Sequence, residues 1–322
     1  MEISKIYENL YHYTTWGGLQ GILATQSLWA THYKFLNDYS EIVLMREKLI
    51  SFLEPFVHRA YLEAMDKKPK IKEKIKKEGG LGKVIEHDTR VTVDAQYEAI
   101  GEEIYILSFC GQNNDDFINK NGLLSQWRGY GVDGGVCIVF DTKKLEDIFE
   151  FEVNEYEYSM IHLSDIIYSD DKKKFQSELS DDMRIISKDV ENMFSVEHLG
   201  GKLELKGFYS FVKCISSYKH CGFKEENEVR AVAMPTVFDN EFSKHAQIKK
   251  IEPKKEKGRK FRKYNGIDIP YIELFESQEA ILPIKKIIIG PHKDKEVRAA
   301  FLRVMLRKTD IEISVSEIPF AN

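Results

Sequence analysis

Three observations predict a mixed α+β fold with helices inserted between the strands of one mixed sheet. Short apolar runs bounded by polar or Gly/Pro turns recur along the chain, among them IYILSFC at 104–110, GGVCIVFD at 134–141 and EVRAVAMP at 228–235. Strands outnumber the helices between them in the second half, which is not the regular alternation of a doubly wound parallel sheet. No Gly-x-Gly-x-x-Gly and no Walker-type loop is present, which disfavours the Rossmann and P-loop nucleotide sites.

The elements follow in order. Residues 5–13 read as a strand ending in Tyr11-His12-Tyr13, and Thr14 or Thr15 then offers a helix N-cap. Trp16, Leu19, Ile22 and Leu23 follow at helical spacing, and 28–36 reads as a second strand. Asp38 with Glu41 forms a capping box for a helix whose apolar face is Ile42, Met45, Leu49, Phe52 and Leu53. The lysine-rich, glycine-broken stretch 66–83 reads as an exposed helix end or a mobile connection, and a helix is expected near 91–103. Residues 142–205 are expected to hold a strand around IHLSDIIYS and one or two helices, and 207–220 reads as helical. Strands are expected at 269–274, 284–291 and 311–318, with a helix marked by Val297, Ala300, Phe301, Val304 and Met305 before the last.

Composition narrows the class. Hydrophobic residues are 43% and aromatics 12% of 322, enough for a sizeable core, so global disorder is excluded. The net charge of −5 carries no message about nucleic acid, so local charge has to be read instead. Cys110, Cys137, Cys214 and Cys221 form no Cys-x-x-Cys pair and read as buried free thiols of a reducing compartment. No His-x-x-x-His or His-Glu-x-x-His spacing supports zinc. No secretory signal and no apolar stretch of membrane-spanning length is seen, so a cytoplasmic protein without membrane contact is expected.

Four constellations carry candidate chemistry. In the first, His12 at a strand end can hydrogen-bond a ribose hydroxyl from one ring nitrogen while the other is fixed by backbone, with Tyr13 on the opposite strand face. A core histidine beside a packed tyrosine is the competing reading. In the second, Ser125-Gln126-Trp127-Arg128-Gly129-Tyr130-Gly131 sets Trp127 and Tyr130 three apart, on one face of a helical turn, where they can wall a nicotinamide or adenine ring. Arg128 can meet a pyrophosphate, and an aromatic staple with a surface arginine is the alternative. In the third, Glu225, Glu226 and Glu228 repel one another, and Glu226 and Glu228 share a face if the strand has already begun. Such a pair can act as a general base, and a solvated acidic turn is the alternative. In the fourth, the run 249–263 sets nine Lys and Arg against Glu252 and Glu256, with Phe261 and Tyr264 among them. Lys254, Lys255, Arg259, Lys260 and Arg262 make it an electrostatic handle for a phosphate backbone, or else a solvated hairpin tip. Asn37, Asp38 and Glu41 could also line a cleft, but the capping box explains Asp38 and Glu41 better.

The opening LYHYTTWGGLQGILATQSLWATHYKFLNDYSE, with ILSFC, SQWRGYG-x-x-GGVCIVFD, the Glu-x-Arg stretch and IIIGP in order, resembles a widespread bacterial family known only as a domain of unknown function. That opening is also similar to the first strand and helix of the ADP-ribosyltransferase superfamily, shared by DNA-targeting toxins and RNA 2′-phosphotransferases. The resemblance implies a single ADP-ribosyltransferase-like domain over 1–322 built on a split mixed sheet, with a helical insertion at about 38–103 and a variable one at about 142–206. It implies NAD as co-substrate, His12 and Thr14 on its ribose, and Tyr33, Trp127 or Tyr130 stacked on nicotinamide. The catalytic glutamate would be Glu228, with Glu226 second. The implied activity is ADP-ribose transfer to a protein or nucleic acid, DNA or RNA, as a toxin or phage-defence effector. Cleaving the nicotinamide–ribose bond builds oxocarbenium character, which a carboxylate beside the sugar stabilises. The other readings kept open are a non-catalytic nucleotide or nucleic-acid binding module and a nucleic-acid processing enzyme.

Overall fold

Alternation and apolar runs become strands where both faces can be covered. In the computed structural model, which describes residues 2–36, 40–99, 103–131, 134–199, 206–239, 252–276 and 281–319, the chain divides into two compact units. The first comprises Met1–Phe35, Ile104–Ile166 and Phe223–Asn322, and the second Leu36–Glu103 and Ile167–Gly222.

The first unit is built on a ten-stranded sheet: β1 Asn9–Thr14, β2 Leu28–His32, β3 Tyr105–Gly111, β4 Val136–Asp141, β5 Tyr158–Asp165, β8 Glu228–Pro235, β9 Lys260–Tyr264, β10 Ile267–Leu274, β11 Ile284–Ile289 and β12 Glu312–Val315. All pairings are antiparallel except β11 with β12. One edge of β3 pairs with β8 from Tyr105 to Cys110. Its other edge is divided: β1 takes Cys110 and Gly111, while β2 takes Tyr105 and Ile106. Between them, around Ser108, the sheet splits.

Helix α1, Trp16–Thr25, joins the two strands that part at the split. Thr15 caps it, its hydroxyl accepting from Gly18 N at 3.0 Å. The main core gathers Leu10, Leu19, Leu28, Leu107, Phe109, Ile138, Phe140, Val229, Ala231, Ile272 and Ile287 from both sides of the split. The first unit's other helices are α5 Asp116–Asn121, α6 Leu124–Tyr130, α7 Thr142–Glu155 and α10 Lys295–Met305. The second unit is helical: α2 Ser40–Lys67, α3 Pro69–Lys77, α4 Leu81–Ala99, α8 Lys172–Leu199 and α9 Phe208–Ser216, with the short parallel pair β6 Ile167–Tyr168 and β7 Tyr218–Lys219.

Several expected boundaries move for local reasons. The first strand starts at Asn9, after a 3-10 turn at Ile3–Lys5, and the second stops at His32 before another at Tyr33–Phe35. The stretch 66–83 is mostly helix: Pro69 sits at the start of α3, where its missing N–H costs nothing, and Ile75 is buried. The helix expected near 91–103 begins earlier, at Leu81. The side chains of Asp38 and Glu41 lie outside the described residues. Among the described residues no helix is long and apolar enough to cross a membrane.

Candidate functional site at the split of the sheet

In an antiparallel sheet directly opposed residues share a face, and neighbours along a strand alternate. Tyr11 lies opposite Cys110, and Cys110 lies opposite Glu228. Tyr11, Cys110 and Glu228 therefore share one face, and His12 points to the other. Thr14 follows His12 on that face, which is the face of Leu10, Phe109 and the main core.

His12 stands where the sheet opens. The carbonyl of Ser108 lies on the divided edge of β3, beyond the last residue paired to either strand. The His12 ring takes the place of a strand there, with Nδ1 3.1 Å from Ser108 O. A carbonyl only accepts, so Nδ1 carries the proton and Nε2 keeps its lone pair. Burial holds the imidazole pKa below its ordinary 6.5, against the opposing pull of the Ser108 carbonyl. The ring stacks edge-on to Phe109 at 5.8 Å between centroids and stays half-buried. The result is a fixed, neutral histidine whose Nε2 is an acceptor with no partner among the described residues.

Thr14 is also half-buried and ends β1 beside the loop after α6. At Gly135, whose φ is 50°, an added methyl would stand 3.1 Å from Thr14 O and 2.5 Å from Gly131 Cα. That contact brings Gly131, just after α6, to the Thr14 end of β1; Arg128 and Tyr130 in the last turn of α6 are exposed.

The remaining candidates are placed elsewhere. Tyr13 and Trp127 are buried together on the opposite face, with ring centroids 4.9 Å apart in an edge-on pair. Tyr13 Oη accepts from Leu123 N at 2.8 Å, and Trp127 Nε1 donates to Asn121 O at 3.0 Å. Desolvation pushes the Tyr13 phenol well above its ordinary range. The glycines around SQWRGYG and IIIGP explain themselves here. A methyl on Gly122 (φ 80°) would meet the Trp127 ring at 2.5 Å, and one on Gly290 would meet Gly134 O at 2.0 Å. They form a socket for an indole. Trp127 and Tyr130 share helix α6, but Trp127 is 3% exposed and Tyr130 43%, so they do not form one aromatic wall. Tyr33 is buried in the 3-10 turn beyond the far end of β2 and packs on His32.

The acidic cluster is resolved by the backbone. The strand begins only at Glu228, and Asn227 adopts φ 46°, so Glu226, the last residue of the 3-10 helix Cys221–Glu226, is not on the strand face of Glu228. Glu228 is locked to Arg230: Nε donates to one carboxylate oxygen at 2.7 Å and a terminal nitrogen to the other at 3.1 Å. Both side chains are 6% exposed.

The basic run is stitched into the fold. Lys249 and Lys250 lie outside the described residues. Lys254 Nζ donates to Val153 O at 2.6 Å, and Lys255 pairs with Glu155 at 2.6 Å. Lys257 is fully buried, 2.7 Å from Glu152 and 3.0 Å from Glu276, with its ammonium 3.7 Å from the centre of the Tyr156 ring. The other Glu152 oxygen accepts from Phe275 N at 2.8 Å. Burial alone would raise the Glu276 carboxyl, but Lys257 and Lys260 hold it below the usual range. Arg259 pairs with Glu256 at 3.3 Å and Lys260 with Glu273 at 2.7 Å. Arg262 contacts Thr31 Oγ1 at 3.3 Å and lies over Trp29. Trp29 carries no weight in the sequence reading, because a tryptophan in an apolar strand gives no sign of which side it faces; it is 41% exposed. Among the described residues no cluster of three or more His, Cys, Asp or Glu could hold a metal ion.

Residues 126–231 match a family described as a protein of unknown function, DUF2971. The match runs from α6 into β8, so it includes Trp127 and Glu228 and stops short of the His12 strand. No curated protein and no solved structure matches the chain.

Proposed function

We propose that the split at Ser108 is a binding site for a ribose-bearing dinucleotide of the NAD type. The observation that carries this reading is His12: its Nδ1 is tied to a main-chain carbonyl the sheet leaves over, and its Nε2 lone pair is left to accept a hydroxyl. Thr14, two residues on, adds a hydroxyl on the same strand face, whereas Arg128 lies on α6, whose Trp127 packs against the opposite face.

Recognition is what this geometry supports best. Transfer of ADP-ribose to a protein or nucleic acid, as in a toxin or phage-defence effector, is the second reading, favoured by the pairing of His12 with Thr14 that the resemblance assigns to the ribose. In that reaction the nicotinamide–ribose bond breaks with the electron pair leaving on nicotinamide, and a carboxylate stabilises the developing cation. Glu228 is poorly placed for this, since it projects from the opposite face of the sheet and both its oxygens are held by Arg230.

Calorimetric titration with NAD, with nicotinamide release measured in parallel, tests the proposal. The expected result is saturable binding that is lost in His12→Ala. Release of nicotinamide by the wild type, retained in Glu228→Gln, would support transfer through another carboxylate. Absence of NAD binding, or binding unaffected by His12→Ala, would overturn the site.

A further inference from the structure

We infer that the outward face of β2, β10 and β9 is a stacking platform for single-stranded nucleic acid. The register sets Trp29 opposite Glu273, Thr31 opposite Tyr271, Lys260 opposite Tyr271, Arg262 opposite Ile269 and Tyr264 opposite Ile267. These side chains share one face, which sets Trp29, Tyr271 and Tyr264 beside Arg262, with Lys260 paired to Glu273 and Thr31, Ile267 and Ile269 between them. Trp29 and Tyr271 stack with centroids 4.3 Å apart and planes 30° from parallel. The Arg262 guanidinium lies 5.8 Å from the Trp29 ring centre. Tyr264 is 65% exposed at the tip of the hairpin, against 41% for Trp29.

Large aromatics left in water at the edge of a sheet call for an occupant. The chemistry of the face selects one. Every nucleobase offers a flat π-face to a ring such as Trp29 or Tyr264, and an arginine between rings can meet both base and phosphate. Most cations of 254–260 are held by protein groups, which leaves Arg262 as the phosphate-binding charge of this face. Among the described residues Arg262 meets a hydroxyl and a ring, while Lys263 projects from the other face of the hairpin, opposite Asp268. The platform therefore gains more from stacking than from charge, which favours an unpaired strand over a duplex. It is independent of NAD, since none of its residues belongs to the His12 site.

Labelled single-stranded DNA and RNA of about ten bases, near the middle of the ~4–16-nucleotide range of known single-strand sites, would be titrated without NAD and read by anisotropy and tryptophan fluorescence. The expected result is binding with fluorescence quenching, weakened about five-fold to a hundred-fold in Trp29→Ala and in Arg262→Ala, the scale of one lost stacked base. Trp29→Phe should retain most of the affinity, and His12→Ala all of it, which separates this proposal from the NAD site. DNA and RNA binding alike would mark base stacking as the common element. No binding by the wild type at low salt, equal binding by Trp29→Ala, or a duplex bound as tightly as the single strand would overturn the inference. So would a face occupied by a second copy of the chain, seen as a mass in solution that falls on Tyr264→Ala.

Discussion

Replacing Glu228 by alanine distinguishes a structural carboxylate from a catalytic one. The Glu228–Arg230 pair makes two charge-assisted hydrogen bonds of 2.7 and 3.1 Å, and each side chain is only 6% exposed. Solvent screening is therefore weak, and removing the carboxylate takes both of these charge-assisted bonds from a buried guanidinium. Breaking a buried pair in this way costs about 3–5 kcal/mol. Glu228→Gln keeps one acceptor for Arg230 and should lose less. Urea denaturation is the assay: Glu228→Ala should unfold at a markedly lower midpoint with an unchanged slope, and the double variant Glu228→Leu/Arg230→Met should recover part of the loss, because it removes the buried guanidinium together with its carboxylate. A Glu228→Ala protein with wild-type stability, but no capacity to release nicotinamide from NAD where the wild type does so, would refute this reasoning and return Glu228 to the catalytic role.

Gly290→Ala should destabilise by about 1–3 kcal/mol, since the new methyl meets Gly134 O and the Trp127 ring, and a loss of near-ultraviolet circular dichroism would report the disturbed indole. Lys257→Ala should cost about 3–5 kcal/mol by thermal or urea unfolding because it strands Glu152 in the core, whereas Lys255→Ala, at an exposed pair, should change stability by about 0–1 kcal/mol. Because the His12 pKa is lowered on folding, the unfolded chain takes up a proton that the folded chain refuses as the pH drops below about 6.5. Its contribution to stability is complete above that value and declines below it by at most about 1.4 kcal/mol per pH unit, a component absent in His12→Gln, as unfolding curves from pH 5 to 8 would show.

Much of the sheet was legible because its central strands are buried on both faces. EVRAVAMP was read with the bounds that β8 has, and IYILSFC within one residue of β3 at either end, since continuous apolar runs between turns leave few alternatives. Strand β9 was hidden because all five of its residues are exposed, so charge masked the alternation. Helix α3 was obscured by lysine, although Ile71 and Ile75 stand four apart.

The candidate site was legible in part. That His12 and Thr14 share a strand face follows from alternation, whereas their assignment to a ribose comes from the resemblance. Which of Tyr13, Trp127 and Tyr130 faced a ligand could not be read, because helical spacing states which residues share a side and not what covers that side. The fates of Glu228 and the basic run were equally out of reach: Arg230 is two residues from Glu228 on the same strand face, but the carboxylates that absorb the lysines come from Glu152, Glu155, Glu273 and Glu276.

The imidazole nitrogens of His12 offer the most direct measurement. With ¹⁵N-labelled histidine, NMR should show a neutral ring protonated at Nδ1, and NAD should move the Nε2 resonance while leaving Nδ1 bonded to Ser108 O. A His12 spectrum unchanged at saturating NAD, or a ring protonated at Nε2 in the free protein, would contradict a ribose site at the split.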